Sequence, residues 1–180
     1  IRRSTYLLRQ KLGLKDTPYF PIVEFLENVL PEIDPTFHIE ILEDLELPGV
    51  QAEYVPSLNV VRIKNSVYEA AVSGYWWARS TLAHELGHYY FHDEKSVRYA
   101  KLDPCKKVPP DFDPERQANV FAAELLAPID LIGGLSEREI GSRCGVSYQI
   151  AKRQLRVLER IRLRKEGKRR AKKRRPSSKA

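Results

Sequence analysis

The stretch His84-Glu85-Leu86-Gly87-His88 decides the fold of this chain. On a helix, residues four apart lie on the same face, so His84 and His88 can offer imidazole nitrogens to one metal ion. Glu85 lies at the edge of that face, where its carboxylate can reach a water held by the ion without ligating the ion itself. Zinc lowers the pKa of such a water to about 7, and a carboxylate can then take its proton. This H-E-x-x-H arrangement is typical of zinc hydrolases, although short motifs also occur by chance.

The flanking residues favour a helix that buries these polar groups. Apolar side chains recur near helical spacing between residues 76 and 91, and Ser80 or Thr81 can cap the helix or lie in its first turn. Unpaired buried polar groups are costly, so two histidines within such a helix need partners. Metal ligation is the simplest explanation for them.

Two histidines are too few for a stable zinc site, so a third ligand must come from elsewhere. His92 lies about 12 Å along a straight helix from His84, and we therefore predict that it ends the helix or neighbours a ligand. Glu115 and Glu124 are the other candidates. They lie about 2.5 turns apart on one helix, so only one can reach a given ion, and position alone does not choose between them.

The helix that carries these glutamates has clear ends in the sequence. Asp113 is a good N-cap and Pro114 suits the first helical position. An apolar stripe follows, and Pro128 is expected to end the helix.

Three stretches of the sequence together resemble the ImmA/IrrE family of metallopeptidases: S-V-Y-E-A-A-V-S-G, R-S-T-L-A-H-E-L-G-H and E-R-Q-A-N-V-F-A-A-E-L-L-A-P. The resemblance extends from about residue 19 to residue 160. It implies that Glu115, the first glutamate of the third stretch, is the third zinc ligand, and that Asn119 supports a ligand from one turn further along. It leaves Glu124 as a salt-bridge or capping residue. Ala127 departs from the family pattern, which often has Met there.

The remaining pattern predicts an α+β, zincin-like fold with a small antiparallel sheet packed on helices. Helices are expected at 1–14 and at 22–30, where Pro31 would stop the second one. Strands are expected at 37–45, 51–55 and 59–64, and a further helix at 67–73, ended by Gly74. The irregular connector at 93–110 either shapes substrate access or is merely solvated.

A helix-turn-helix-like unit is predicted after the metal-binding helices. Ser136 and Glu139 form a capping box, and Gly145-Val146-Ser147 makes a turn into the next helix. The unit can bind DNA, dock a protein partner or buttress the peptidase core, and the resemblance favours the last two. We predict three parts: a metallopeptidase domain at 1–133, this helical unit at 134–163 and a basic disordered tail at 164–180.

Charge is concentrated at the C-terminal end of the chain. The whole chain has a net charge of +7, yet 15 of its lysines and arginines fall within residues 152–180, beside 2 glutamates. The rest of the chain is therefore acidic. We expect helix to about Lys165 and then disorder, with a tail that either attracts nucleic acid without sequence preference or is simply solvated.

The sequence predicts a cytoplasmic protein without a membrane partner. No apolar run approaches the roughly 20 residues of a transmembrane helix. Cys105 and Cys144 lie far apart without ligand spacing, which favours a reducing compartment over a disulfide framework. The sequence begins at Ile1, so the true start is expected to be absent or processed.

The functional prediction is a zinc-dependent endopeptidase in which His84, His88 and Glu115 hold the metal and Glu85 is the general base. The resemblance implies site-specific cleavage of a helix-turn-helix transcriptional repressor, often one on a mobile genetic element. Two alternatives stay open: a DNA- or protein-binding regulator that retains a zinc fold without proteolysis, and a toxin-antitoxin or phage accessory protein with another target.

Overall fold

The computed structural model describes residues 1–91 and 112–173, with side chains up to residue 169. His92, Cys105, the connector at 93–110 and the last residues of the tail lie outside this range. The described part contains three strands: β1 (His38–Leu42), β2 (Ala52–Val55) and β3 (Val60–Lys64). Its helices are α1 (Arg2–Lys11), α2 (Ile22–Glu24), a π-helical turn (Phe25–Val29), α3 (Leu30–Ile33), α4 (Asn65–Val72), α5 (Trp76–Phe91), α6 (Pro114–Leu126), α7 (Glu137–Cys144) and α8 (Tyr148–Lys173).

The strands form one mixed sheet in the order β1-β3-β2. β2 runs antiparallel to β3, with Ala52 opposite Ile63, whereas β1 runs parallel to β3, with His38 opposite Val60. The predicted α+β class is confirmed, but a wholly antiparallel sheet is not what forms. The reason is that β2 and β3 make a hairpin that places β3, not β2, beside β1.

The predicted stop at Pro31 is wrong, because helix continues to Ile33. The chain passes from α2 through a π-helical turn, in which the Leu30 N–H bonds the Phe25 carbonyl. Pro31 then lies in the first turn of α3. Proline is tolerated there because the N–H groups in the first turn of an α-helix have no carbonyl partner within that α-helix.

Local sequence signals fix several helix ends as predicted. The Asp113 carboxylate accepts hydrogen bonds from the N–H groups of Glu115 and Arg116, which caps α6. Ser136 and Glu139 form the expected capping box at α7. α4 ends before Gly74, which has a φ of +82° that side chains other than glycine rarely adopt.

The core lies between the sheet and α5, and α5 packs against α2, α4, α6 and β2. Leu82 and Leu86 of α5 are almost fully buried, as are Val61 and Ile63 of β3 and Phe121 of α6. This packing holds the H-E-x-x-H stretch in the middle of the molecule. It therefore gives the polar side chains of α5 a rigid support.

The helix pair α7–α8 packs on the same core. The left-handed Gly145, with a φ of +64°, makes the turn between the two helices. Gln154 of α8 is buried, and its amide donates to the carbonyls of Ala127, at 2.8 Å, and Ala123, at 3.3 Å. These bonds tie α8 to the C-terminal end of α6. The Cys144 thiol at the end of α7 is free and buried.

Two expectations about the ends of the chain meet the structure only in part. α8 continues to Lys173, beyond the predicted limit near Lys165, because lysine, arginine and alanine are good helix formers. The predicted domain boundaries stay predictions.

Within the described residues, no helix is both long enough and apolar enough to cross a membrane.

Candidate metal centre

Two helices bring the candidate ligands together. His84 and His88 project from one face of α5, and Glu115 projects from the first turn of α6. The two imidazole Nε2 atoms lie 3.0 Å apart. The Glu115 carboxylate reaches both rings, with Oε2 at 3.2 Å from His84 Nε2 and Oε1 at 3.4 Å from His88 Nε2. One ligand atom from each residue lies within 4.8 Å of the others, so the three side chains could hold one metal ion.

The spacing of these atoms fits a tetrahedral metal ion. Bonds of about 2.0–2.1 Å around a tetrahedral centre separate neighbouring donor atoms by about 3.3 Å. The two Nε2 atoms lie 3.0 Å apart, and those of His84 and His88 lie 3.2 and 3.4 Å from Glu115 Oε2 and Oε1 respectively, so each separation is close to that value, although the two carboxylate contacts use different oxygens. Two imidazoles and one carboxylate are also the donor set of many catalytic zinc sites, which leave a fourth position for water or substrate.

The structure separates the two glutamates that the sequence left open. Glu124 lies on a different face of α6, is almost fully buried, and forms a two-point ion pair with Arg2 of α1. Its carboxylate oxygens lie 2.7 and 3.1 Å from the Arg2 nitrogens. The salt-bridge role predicted for Glu124 therefore matches its contacts, whereas Glu115 lies beside the histidines. Ligation by Glu115 itself stays a prediction.

Glu85 is buried beside this cluster. Its side chain is held by the Tyr54 N–H of β2, which donates to Oε2 at 2.9 Å. Burial raises the pKa of Glu85 to about 8, the Tyr54 hydrogen bond opposes that rise, and the negative charges of Glu115 and Glu53 add to it. A bound cation would act in the same direction as Tyr54 and favour the carboxylate.

A polar network that the sequence did not predict anchors the last turn of α5. The Tyr89 hydroxyl donates to Asp34 Oδ2 at 2.9 Å, and the Asn59 amide donates to the same oxygen at 2.9 Å. The Tyr54 hydroxyl in turn donates to Asn59 Oδ1 at 3.0 Å. The network joins α5, β2 and the segment before β1. Its only sequence signal was a set of scattered polar residues, and these carry no shared spacing.

Other residues near the motif have structural contacts. Asn119 donates to the main-chain carbonyl of Glu115 at 2.7 Å. It therefore supports the backbone of Glu115, whereas the resemblance implied that it supports a metal ligand. Arg79 is buried, donates to the carbonyls of Phe20, Cys144 and Gly145, and lies 3.8 Å from the centre of the Tyr19 ring. Arg79 therefore joins α5 to its surroundings, away from the metal-ligand face.

The comparisons with known proteins concern the family and the fold. A model of the Peptidase_M78 family, described as the IrrE N-terminal-like domain, matches residues 78–156. That range contains the three candidate ligands and confirms the resemblance to the ImmA/IrrE family. No curated protein matches the sequence.

A solved structure, a Mycobacterium tuberculosis transcriptional regulator, has a similar fold, with a TM-score of 0.54 and 14% sequence identity. The similarity covers 83% of this chain and 44% of that one, so the chain spans less than half the length of the regulator. At this identity the likeness concerns the fold alone.

Proposed function

We propose, from the IrrE N-terminal-like domain that residues 78–156 carry, that this chain is a zinc-dependent endopeptidase. The observation that supports it most is the convergence of His84, His88 and Glu115 beside a buried glutamate. A purely structural zinc site usually closes all four positions with protein ligands and needs no such carboxylate. Among the described residues, the group that could hold a metal offers three side chains, one fewer than the four protein ligands of a closed structural site.

In this proposal His84, His88 and Glu115 hold the zinc ion. Bound there, zinc would supply Lewis-acid chemistry, polarising the scissile carbonyl and lowering the pKa of a water. The chain's own contribution is orientation. α5 fixes both imidazoles one turn apart, and the Asp113 cap fixes the first turn of α6, from which Glu115 projects.

Glu85 is the proposed general base and acid. Its carboxylate takes a proton from the attacking water and returns it to the leaving amine. The hydrogen bond from Tyr54 occupies Oε2 and holds the side chain in one orientation. Burial raises the pKa of Glu85 to about 8 in the metal-free chain, and a bound cation would lower it toward neutrality, where a carboxyl can both accept and return a proton.

The proposed substrate is a helix-turn-helix transcriptional repressor, cleaved at one site in the cytoplasm. The support is the family match, because the residues of the site do not identify a sequence to be cleaved. A regulator without proteolysis, or a toxin-antitoxin or phage accessory protein with another target, would have the same metal ligands. The test below separates these functions.

The experiment incubates the zinc-loaded chain with the helix-turn-helix repressor encoded nearest to its own gene, with casein as an unrelated protein. The proposal expects one cleavage site in the repressor, no cleavage of casein, and no cleavage by Glu85→Gln although that variant keeps its zinc. Cleavage that persists in Glu85→Gln would remove the role given to this residue. An intact repressor with zinc-loaded wild type would favour the other functions.

A further inference from the structure

The projecting part of α8 is a basic surface that the peptidase proposal does not use. From residue 162 to residue 169 every side chain of the helix is exposed. Over its whole length α8 carries twelve lysines and arginines and two glutamates. Because this part of the helix is exposed, packing against the core does not stabilise it. Its positive charge is therefore the feature to explain.

Five of the twelve basic residues of α8 follow one row. Lysine or arginine stands at every fourth position, at Lys152, Arg156, Arg160, Arg164 and Lys168. Like charges four residues apart repel each other on a helix and destabilise it. None of the salt bridges among the described residues involves this row. A polyanion lying along the row would relieve the repulsion.

The row also winds around the helix. Each step of four residues turns it by about 40°, so it turns by about 160° over a length of about 24 Å between Lys152 and Lys168. Glu159 and Glu166, seven residues apart, continue the face on which Lys152 starts, and the row turns away from that face toward Lys168. The basic side chains therefore point to more than one side of the helix.

We propose that this row, which we call the α8 basic row, docks along the backbone of double-stranded DNA. A helix with its side chains is about 10–12 Å wide and fits the major groove of B-DNA, about 12 Å across, whose phosphates lie on both sides. Charges spread over about 160° can meet both phosphate strands, whereas a flat acidic protein face would meet only part of them. The deep, narrow groove of A-form RNA does not admit a helix.

A membrane surface fits this part of α8 poorly. Helices that lie in a membrane interface bury an apolar face. Between residues 162 and 169, Leu163 is the single large apolar side chain. Most of the row also lies beyond residue 156, where the family match ends. The proposal concerns phosphate contacts without base reading, and it does not depend on the peptidase activity.

The test measures binding of the full chain to a fluorescent 20-base-pair DNA duplex by anisotropy, across a series of salt concentrations. The row variant carries Arg156→Gln, Arg160→Gln and Arg164→Gln. The matched control carries Arg3→Gln, Lys11→Gln and Arg138→Gln, which remove the same charge from exposed positions elsewhere. Circular dichroism melting checks that both variants are folded.

The expected result is specific to the row. Loss of three phosphate contacts should reduce the slope of log affinity against log salt by about 2.7 and weaken binding at least tenfold near 0.1 M salt. The control should keep the wild-type slope. Equal losses in both variants would show that only net charge matters, and would overturn the proposal, as would failure of the wild type to bind the duplex.

Two competitors test the choice of partner. A DNA duplex should displace the labelled probe at several-fold lower concentration than an RNA duplex of the same length or a polyglutamate of the same charge. Equal or better competition by RNA would overturn the groove fit. Better competition by polyglutamate would instead identify an acidic protein face as the partner.

Discussion

Gly87 of α5 lies directly against Ala118 of α6. A β-carbon added to Gly87 would lie 2.8 Å from the Ala118 Cα and 3.2 Å from its Cβ and carbonyl oxygen. Gly87 immediately precedes His88, and Ala118 lies about one turn after Glu115. The close approach of the two helix backbones therefore sets how near Glu115 comes to the histidines.

We predict that Gly87→Ala destabilises the protein and weakens metal binding. The added methyl has backbone in front of it, so α5 and α6 must move apart. Overpacking of this kind typically costs about 1–3 kcal/mol in the free energy of unfolding. Thermal melting with and without zinc, followed by a zinc titration, measures both effects.

Gly167→Ala is the matched control for that variant. Gly167 lies in α8 with no atom within 4 Å of an added β-carbon, and the substitution should increase stability through helix propensity, by up to about 1 kcal/mol. Equal zinc affinities for Gly87→Ala and wild type would show that the close contact does not govern the metal centre.

The helices that carry the candidate ligands were predictable because their signals are local. Spacing placed His84 and His88 on one face of α5, and Asp113 followed by Pro114 gave the start of α6. The choice between Glu115 and Glu124 needed more than spacing. It depends on which face of α6 meets α5, and a helix periodicity does not reveal that.

The pairing of strands and the close contacts could not be predicted in this way. Alternating polar and apolar residues show that β1 is a strand, but not that it lies parallel to β3. Tyr54 escaped notice as a partner of Glu85 because its main-chain N–H makes the contact, and every residue except proline has one. The role of Gly87 could not be predicted because a glycine inside a helix is explained only when the helix packed against it is known.

Gln154 gives a prediction about the helix pair α7–α8. Although glutamine is polar, the structure buries Gln154 against the end of α6. Gln154→Leu keeps the volume but leaves the Ala127 carbonyl without this donor, so the free energy of unfolding should fall by about 1–3 kcal/mol. Urea unfolding measures it.

Gln149→Leu provides the comparison, since Gln149 is exposed at the start of the same helix. This variant should stay within about 0.5 kcal/mol of wild type. If both variants are equally stable, α8 does not depend on its bonds to α6, and the helix pair is not a buttress of the peptidase core.

Asp34 should contribute stability that disappears in acid. Hydrogen bonds from Thr36, Asn59 and Tyr89 lower the pKa of this carboxyl to about 2 in the folded chain, below its ordinary value. The unfolded chain therefore binds the proton more tightly, and the contribution is present above the ordinary aspartate pKa and lost as the pH falls toward 2.

Asp34→Asn tests this dependence. The melting temperature of the variant should be below that of wild type at pH 6, and the difference should shrink toward pH 2. Asp16→Asn, a change at an exposed position outside the network, should show no such convergence. A difference for Asp34→Asn that stays constant over the whole range would show that the carboxylate charge is not what the network stabilises.

The zinc content of the purified chain is the most direct test of the central claim, measured for wild type, Glu115→Ala and Glu124→Ala after zinc is supplied and excess metal removed. We predict one zinc per chain in the wild type and in Glu124→Ala, and loss of zinc in Glu115→Ala. Glu124→Ala should instead be less stable, because it leaves Arg2 without its buried partner. A wild type without zinc, or a Glu115→Ala variant that keeps it while Glu124→Ala loses it, would contradict the metal centre described above.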